Sequence, residues 1–188
     1  MSPQLFPDLT PETAPSAARA TIEGVHDKFG HVPTPVARMA ASPELLQGFL
    51  TANTVFERTT LPPLDREVVV MTIATRIGCR VTVAMHTAVL TRLGASPELV
   101  QALRARATVL PDPRLSALRR YTLAVMDHRG AVPEDDTRAF LDAGHTPRNA
   151  LEVVLGVGVY TISTYANRLT GAPVDPPFQA HAWEDGAA

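Results

Sequence analysis

Ser42-Pro43-Glu44, Ser96-Pro97-Glu98 and Thr146-Pro147-Arg148 each set a hydroxyl residue directly before a proline, with regularly spaced apolar residues behind it. A Ser or Thr oxygen can accept from the orphan amides of a helix's first turn. Proline fits the next position because its missing N–H would have no partner there. Each triplet therefore predicts a helix start. Behind Ser42, Leu45, Phe49, Ala52 and Phe56 recur on one face; behind Ser96, Leu99, Leu103 and Ala107 do the same. Leu118, Tyr121, Thr122, Val125 and Met126 keep this spacing until Gly130. Leu61-Pro62-Pro63 ends one segment and opens the next, and the segment from Thr146 runs towards Gly171.

Val68-Val69-Val70 and Val157–Ile162 are rich in β-branched residues and have the composition of strands. Each lies within an unbroken segment of a dozen or more residues that begins with a helix-start signal. Such length favours a buried helix. The expected fold class is all-α. An internal echo predicts two related helical halves. Leu93-Gly94-Ala95-Ser96-Pro97 resembles Ala143-Gly144-His145-Thr146-Pro147. Glu67 precedes Cys79 by twelve positions and Thr82 by fifteen, and Glu152 precedes Thr164 and Asn167 by the same intervals. The pattern suggests a duplicated helical hairpin.

The 188 residues suffice for one sizeable core. We divide the chain into an extended proline-rich arm over 1–20, a domain over 21–180 and a tail over 181–188. Pro3, Pro7, Pro11 and Pro15 space out the arm, which lies on the domain, lies on a neighbouring subunit, or is disordered. The 17 basic and 19 acidic residues nearly cancel, which argues against a nucleic-acid binder. The longest apolar runs, Val68–Ile77 and Val153–Ile162, are too short to span a bilayer. The N-terminus has no basic region followed by an apolar run, so the expected compartment is the cytoplasm. Cys79 is the single cysteine, so no disulfide forms within one chain.

The chemistry-bearing stretch is 61–94. Gly78 interrupts the helical pattern, so a new helix is expected to start near Cys79. Cys79, Thr82 and His86, spaced by three and four, then share one face. Glu67, on the preceding helix, reaches that face if the two helices pack antiparallel. A thiol in a first helical turn and near a protonated imidazole is favoured as thiolate. Glu67 beside His86 would fix the histidine tautomer and make a proton shuttle near neutral pH. Arg76, one turn before Cys79, can pair with a carboxylate substrate or lie at the surface. Taken singly, each residue also has a plain reading: Glu67 paired with Arg66 or Arg76, Cys79 a small buried hydrophobe, His86 a satisfied core histidine. His26, His31, His128, His145 and His181 are scattered without metal spacing. No metal or other cofactor is called for.

The stretch resembles the carboxymuconolactone decarboxylase and alkylhydroperoxidase D-like (AhpD-like) family. The resemblance is carried by Leu64-Asp65-Arg66-Glu67, the approach over 74–79, His86-Thr87-Ala88 and Leu93-Gly94-Ala95-Ser96, and by the run over 160–175. It covers roughly residues 30–178 and implies an AhpD-like helical bundle. It also implies a homo-oligomer, trimer or hexamer. Redox-active relatives use Cys-x-x-Cys-x-x-x-His with an upstream Glu. Here Glu67, Cys79 and His86 match, but Thr82 stands at the peroxide-attacking position. A threonine hydroxyl cannot form a sulfenic acid or a disulfide, so the dithiol cycle is unavailable within one chain. Thr164 and Arg168 stand where Asn and His are expected in close relatives.

The resemblance therefore leads us to expect a diverged enzyme doing non-redox acid–base chemistry, of decarboxylation or isomerisation type. Its substrate would be a small carboxylated or lactone-like molecule. Glu67, Cys79 and His86 form the expected catalytic set, with Thr82 and Arg76 binding substrate. Two alternatives stay open: a hydroperoxide reductase using Cys79 with an external thiol, and a non-catalytic oligomeric scaffold or binding protein.

Overall fold

The structure, a computed structural model, describes residues 5–184. It begins with α1 (Ser16–Phe29), α2 (Thr34–Met39) and α3 (Pro43–Glu57). The central pair is α4 (Pro63–Ile77) and α5 (Arg80–Arg92), followed by α6 (Pro97–Arg104). The chain then forms α7 (Pro113–Asp127), α8 (Glu134–Asp142), α9 (Pro147–Thr170) and a 3₁₀ turn over Pro176–His181. No strand occurs among the described residues. Among them no helix is long and apolar enough to cross a membrane.

The expected helix starts are all present. Ser42 Oγ accepts from Leu45 N at 3.3 Å and Ser96 Oγ from Leu99 N at 3.2 Å. Thr146 forms a reciprocal capping box with Asn149. The helix from Ser96 stops at Arg104, so Ala107 lies beyond it and is half-buried. On α3 the core positions are Leu46 and the expected Phe56; Leu45 is 38% exposed.

α4 is the centre of the fold. Every residue from Val68 to Thr75 is buried, since α5, α6, α7 and α9 pack around it. This is why Val68-Val69-Val70 is helical despite its strand-like composition. A helix apolar on all sides is stabilised by enclosure, which outweighs the small propensity cost of β-branching. α9 presses onto α4 and α3 at Gly156. A Cβ there would meet Phe56 Cε2 at 2.8 Å and Val69 Cγ1 at 3.0 Å.

A second apolar cluster (Ala14, Ala18, Ile22, Val36, Met39, Leu46 and Ala166) fastens α1 and α2 to α3 and α9. Where described, the N-terminal arm lies on the domain: Arg38 Nε donates to Asp8 Oδ1 at 2.6 Å and Arg38 Nη1 to Thr170 O at 2.6 Å. The extended arm expected over 1–20 is shorter, because α1 starts directly behind Pro15, which begins the helix as readily as it breaks one. Pro3 lies outside the described residues. The tail expected over 181–188 is packed where described. Trp183 is buried and its Nε1 donates to Arg104 O at 3.0 Å; residues 185–188 lie outside the described residues.

The echo between the halves holds at the joints. Gly94 and Gly144 both adopt left-handed backbone, with φ of 75° and 91°, before a capping Ser or Thr and a proline. It does not extend to a second hairpin. Glu67 and Thr82 lie on two helices separated by Gly78, whereas Glu152 and Asn167 lie on the single helix α9. Ser163 stands at the position equivalent to Gly78, and without a left-handed residue the helix continues.

Candidate active site

The α4–α5 hairpin turns at Gly78, with φ 76° and ψ 36°, a conformation that favours glycine. Its carbonyl accepts from Arg168 Nη1 at 2.6 Å, so α9 holds the turn in place. Cys79 is not in the first turn of α5 but is its N-cap residue, with extended backbone and no side-chain capping bond. The antiparallel pairing of α4 and α5 brings Glu67 beside His86, as the spacing predicts.

His86 Nδ1 and Glu67 Oε2 are 2.7 Å apart, and both side chains are largely buried, at 15% and 13% exposure. With the carboxylate accepting, Nδ1 carries the proton. This leaves Nε2 as the basic nitrogen, with no hydrogen-bond partner among the described residues. The His86 ring stands edge-to-face on Tyr160, with centroids 5.2 Å apart. Tyr160 Oη donates to Asn53 Oδ1 at 3.2 Å. Burial, reinforced by the charge of Glu67, raises the Tyr160 phenol well above its ordinary range, so it acts as a hydrogen-bond donor and not as a base. Glu67 is not paired with Arg66, which donates to Leu61 O, nor with Arg76.

Cys79 is 1% exposed and its Sγ lies 3.2 Å from Thr82 Oγ1. Asn167 Nδ2 approaches the same hydroxyl at 3.5 Å. No hydrogen bond joins Cys79 to His86 among the described residues.

A cavity of about 390 Å³ opens against this cluster. Thr82, His86, Tyr160, Ser163 and Asn167 give it one polar region; Val36, Met39, Phe49, Leu50, Met85, Val89 and Phe178 line apolar walls. Glu67 and Cys79 do not line it. Each is bonded to a residue that does, Glu67 to His86 and Cys79 to Thr82.

Arg76 is not brought here. It is 56% exposed on the opposite side of α4 and donates to Asp127 Oδ1 from Nη2 at 2.8 Å. Arg92 is the one arginine among the lining residues of this cavity. Among the described residues no three His, Cys, Asp or Glu side chains converge as a metal site.

Tyr160, Ser163 and Asn167 were missed as site residues by the sequence reading. They recur at i, i+3 and i+7 on an otherwise apolar helix, and that polar stripe was the available signal. Thr164, one position further round, is buried and spends its hydroxyl on Tyr160 O.

Residues 43–124, which contain this hairpin, match the model of the carboxymuconolactone decarboxylase family. That segment is similar to the carboxymuconolactone decarboxylase family. Around it the whole described chain has the AhpD-like fold. A structure titled alkylhydroperoxidase AhpD core, an uncharacterized peroxidase-related protein from Ralstonia eutropha JMP134, superposes with a TM-score of 0.80. It is 22% identical, over 92% of this chain and 93% of that one. An uncharacterized peroxidase-related protein from Silicibacter sp. TM1040 superposes with a TM-score of 0.76 at 18% identity, over 95% of each chain. A cysteine-to-alanine variant of the debrominase Bmp8, in complex with 2,3,4-tribromopyrrole, gives 0.76 at 13% identity over 96% of each chain. At these identities the likeness concerns the fold. No curated protein is significantly similar to the sequence.

Proposed function

We propose that this carboxymuconolactone decarboxylase-type chain is an enzyme of non-redox acid–base chemistry. Its substrate is a small, largely apolar carboxylic acid or lactone. The carrying observation is the 2.7 Å bond between Glu67 and His86 Nδ1 beside the cavity. A carboxylate that holds one imidazole nitrogen protonated leaves the other to take up and return a proton. His86 moves the proton, Glu67 orients the ring and balances its charge when protonated, and Thr82 and Asn167 hydrogen-bond the substrate. The cavity volume suits a compact molecule, and its apolar walls favour a ring or short chain. We place the protein in the cytoplasm, where a lone thiol stays reduced.

The peroxidase alternative requires Cys79 to meet hydroperoxide, yet its thiol is buried behind Thr82. With hydroperoxide and a thiol reductant, the expected result is no turnover and no mass gain on Cys79 in the intact protein. Turnover that disappears in Cys79→Ser would overturn the acid–base reading.

We also propose that the chain assembles with copies of itself. On α9, Leu151, Tyr165 and Leu169 are 73%, 61% and 74% exposed, a row of large apolar side chains on one helix. Burial of this row between subunits would remove it from water. Sedimentation should give a trimer or hexamer, broken down by a paired Tyr165→Asp and Leu169→Asp change. A monomeric wild type refutes the assembly.

A further inference from the structure

On the far side of α4 from the Glu67–His86 pair lies a second cavity, of about 250 Å³. It shares no lining residue with the first. Thr72, Thr75 and Arg76 of α4, Arg119, Leu123 and Asp127 of α7, and Arg106 from the α6–α7 connection surround it. Three guanidinium groups line it, and Asp127, the one carboxylate among its described lining residues, already accepts both a 3.2 Å and a 2.8 Å bond from Arg76.

Arg119 is the unusual member. It is only 3% exposed, and its Nε and Nη1 atoms are buried without any hydrogen-bond partner. Its neighbour Arg120, by contrast, points outward and pairs with Asp136 at 3.1 Å. An unpaired buried charge is costly, and buried arginines are ordinarily paired or bonded to an acceptor. No acceptor nearby relieves these two atoms: neither the Thr72 nor the Thr75 hydroxyl oxygen accepts from them, and Thr75 O accepts from Arg106 Nε instead, at 2.9 Å. Arg106 also stacks over Trp183, its guanidinium carbon 5.3 Å from the ring centroid, which holds its charge near Arg119. Burial first, and Arg106 second, hold the Arg119 guanidinium below its ordinary value.

We infer that this cavity is a binding site for a compact dianion, a phosphate group, with Arg119 as its buried anchor and Arg76 and Arg106 completing the positive lining. Guanidinium suits phosphate because it is planar, always charged and rich in donors. The threonine oxygens of α4, whose protons point into their own helix, leave the arginines to define the selectivity. The site is separate from the one carrying the proposed reaction, and it does not depend on that reading.

The probe is inorganic phosphate, titrated into the full chain at constant ionic strength and followed by calorimetry and by Tm. Wild type should bind saturably, and its Tm should rise by about 5–10 °C once phosphate reaches roughly a hundredfold its dissociation constant. Arg119→Met replaces the unpaired charge with an apolar chain of similar length. It should fold at least as well without phosphate and weaken phosphate binding at least about tenfold. Arg76→Gln, at an exposed position, should weaken it severalfold while leaving the fold intact. Acetate should bind much more weakly than phosphate. The inference fails if wild type shows no saturable binding, if Arg119→Met binds phosphate as well as wild type, or if acetate matches phosphate.

Discussion

His86→Gln should lower turnover by about 10²–10⁴-fold, while Cys79→Ser should leave it within about a factor of three, once a lactone or carboxylic acid substrate has been found by screening. Glutamine is close to imidazole in size and keeps a polar group at the cavity wall, but it cannot take up a proton at neutral pH. The loss therefore falls on the chemical step, and kcat drops with little change in KM. Glu67→Gln tests the other half of the pair. An amide can still accept from His86 Nδ1 across the 2.7 Å contact, so the ring stays oriented. It supplies no charge to balance an imidazolium, and turnover should fall by at least about tenfold. Cys79 is bonded to Thr82 and lines no part of the cavity, so serine there preserves a small buried group. Cys79→Ser abolishing turnover while His86→Gln retains it would refute the assignment of the proton shuttle.

Glu152→Ala should destabilise the protein by about 3 kcal/mol, or roughly 6–12 °C in Tm. The Glu152 carboxylate is buried at the start of α9 and knots together the turn that precedes α4. It accepts from Thr60 N at 2.9 Å, Leu61 N at 3.2 Å, Asn149 Nδ2 at 3.1 Å and Arg148 Nε at 3.0 Å. Alanine would strand the Thr60 and Leu61 amides, and a buried unsatisfied donor costs about 1–3 kcal/mol. Burial by itself raises the carboxyl value. The bonds from the Thr60 amide and hydroxyl, Asn149 and Arg148 outweigh it and hold Glu152 below the usual carboxylate range.

The linkage has a definite sign. The unfolded chain binds the proton more tightly than the folded one, so this stabilisation is fully present above the ordinary Glu value, about 4.3. It is lost as pH falls through the lower folded value. The Tm difference between wild type and Glu152→Ala should therefore shrink below about pH 4.5. A difference that stays constant down to pH 3 would show that the carboxylate charge contributes nothing.

The starts of the helices were legible in the residues themselves because capping is a local interaction. Ser42, Ser96 and Thr146 act on amides three residues away, and proline restricts its own φ whatever surrounds it. Gly78 as a break, and the sharing of one face by Thr82 and His86, follow from backbone sterics and helical period. The same period sets Arg76 away from the site, against the expectation that it binds substrate. It follows Glu67 by nine residues, about half a turn out of phase at roughly 100° per residue.

Tertiary structure decided what local pattern cannot carry. The Val68–Val70 run is helical because α4 is enclosed on all sides. Glu152 became an anchor for the Thr60 turn although its spacing echoes Glu67, since nothing near Ser163 breaks α9. Tyr160 and Asn167, both more than seventy positions after His86, reached the candidate site on α9, and Arg119 became a buried unpaired charge only when α4 and the Arg106 connection closed over it. Cavities and charge environments are sums over distant segments, and their free energies depend on distances that chain spacing leaves open.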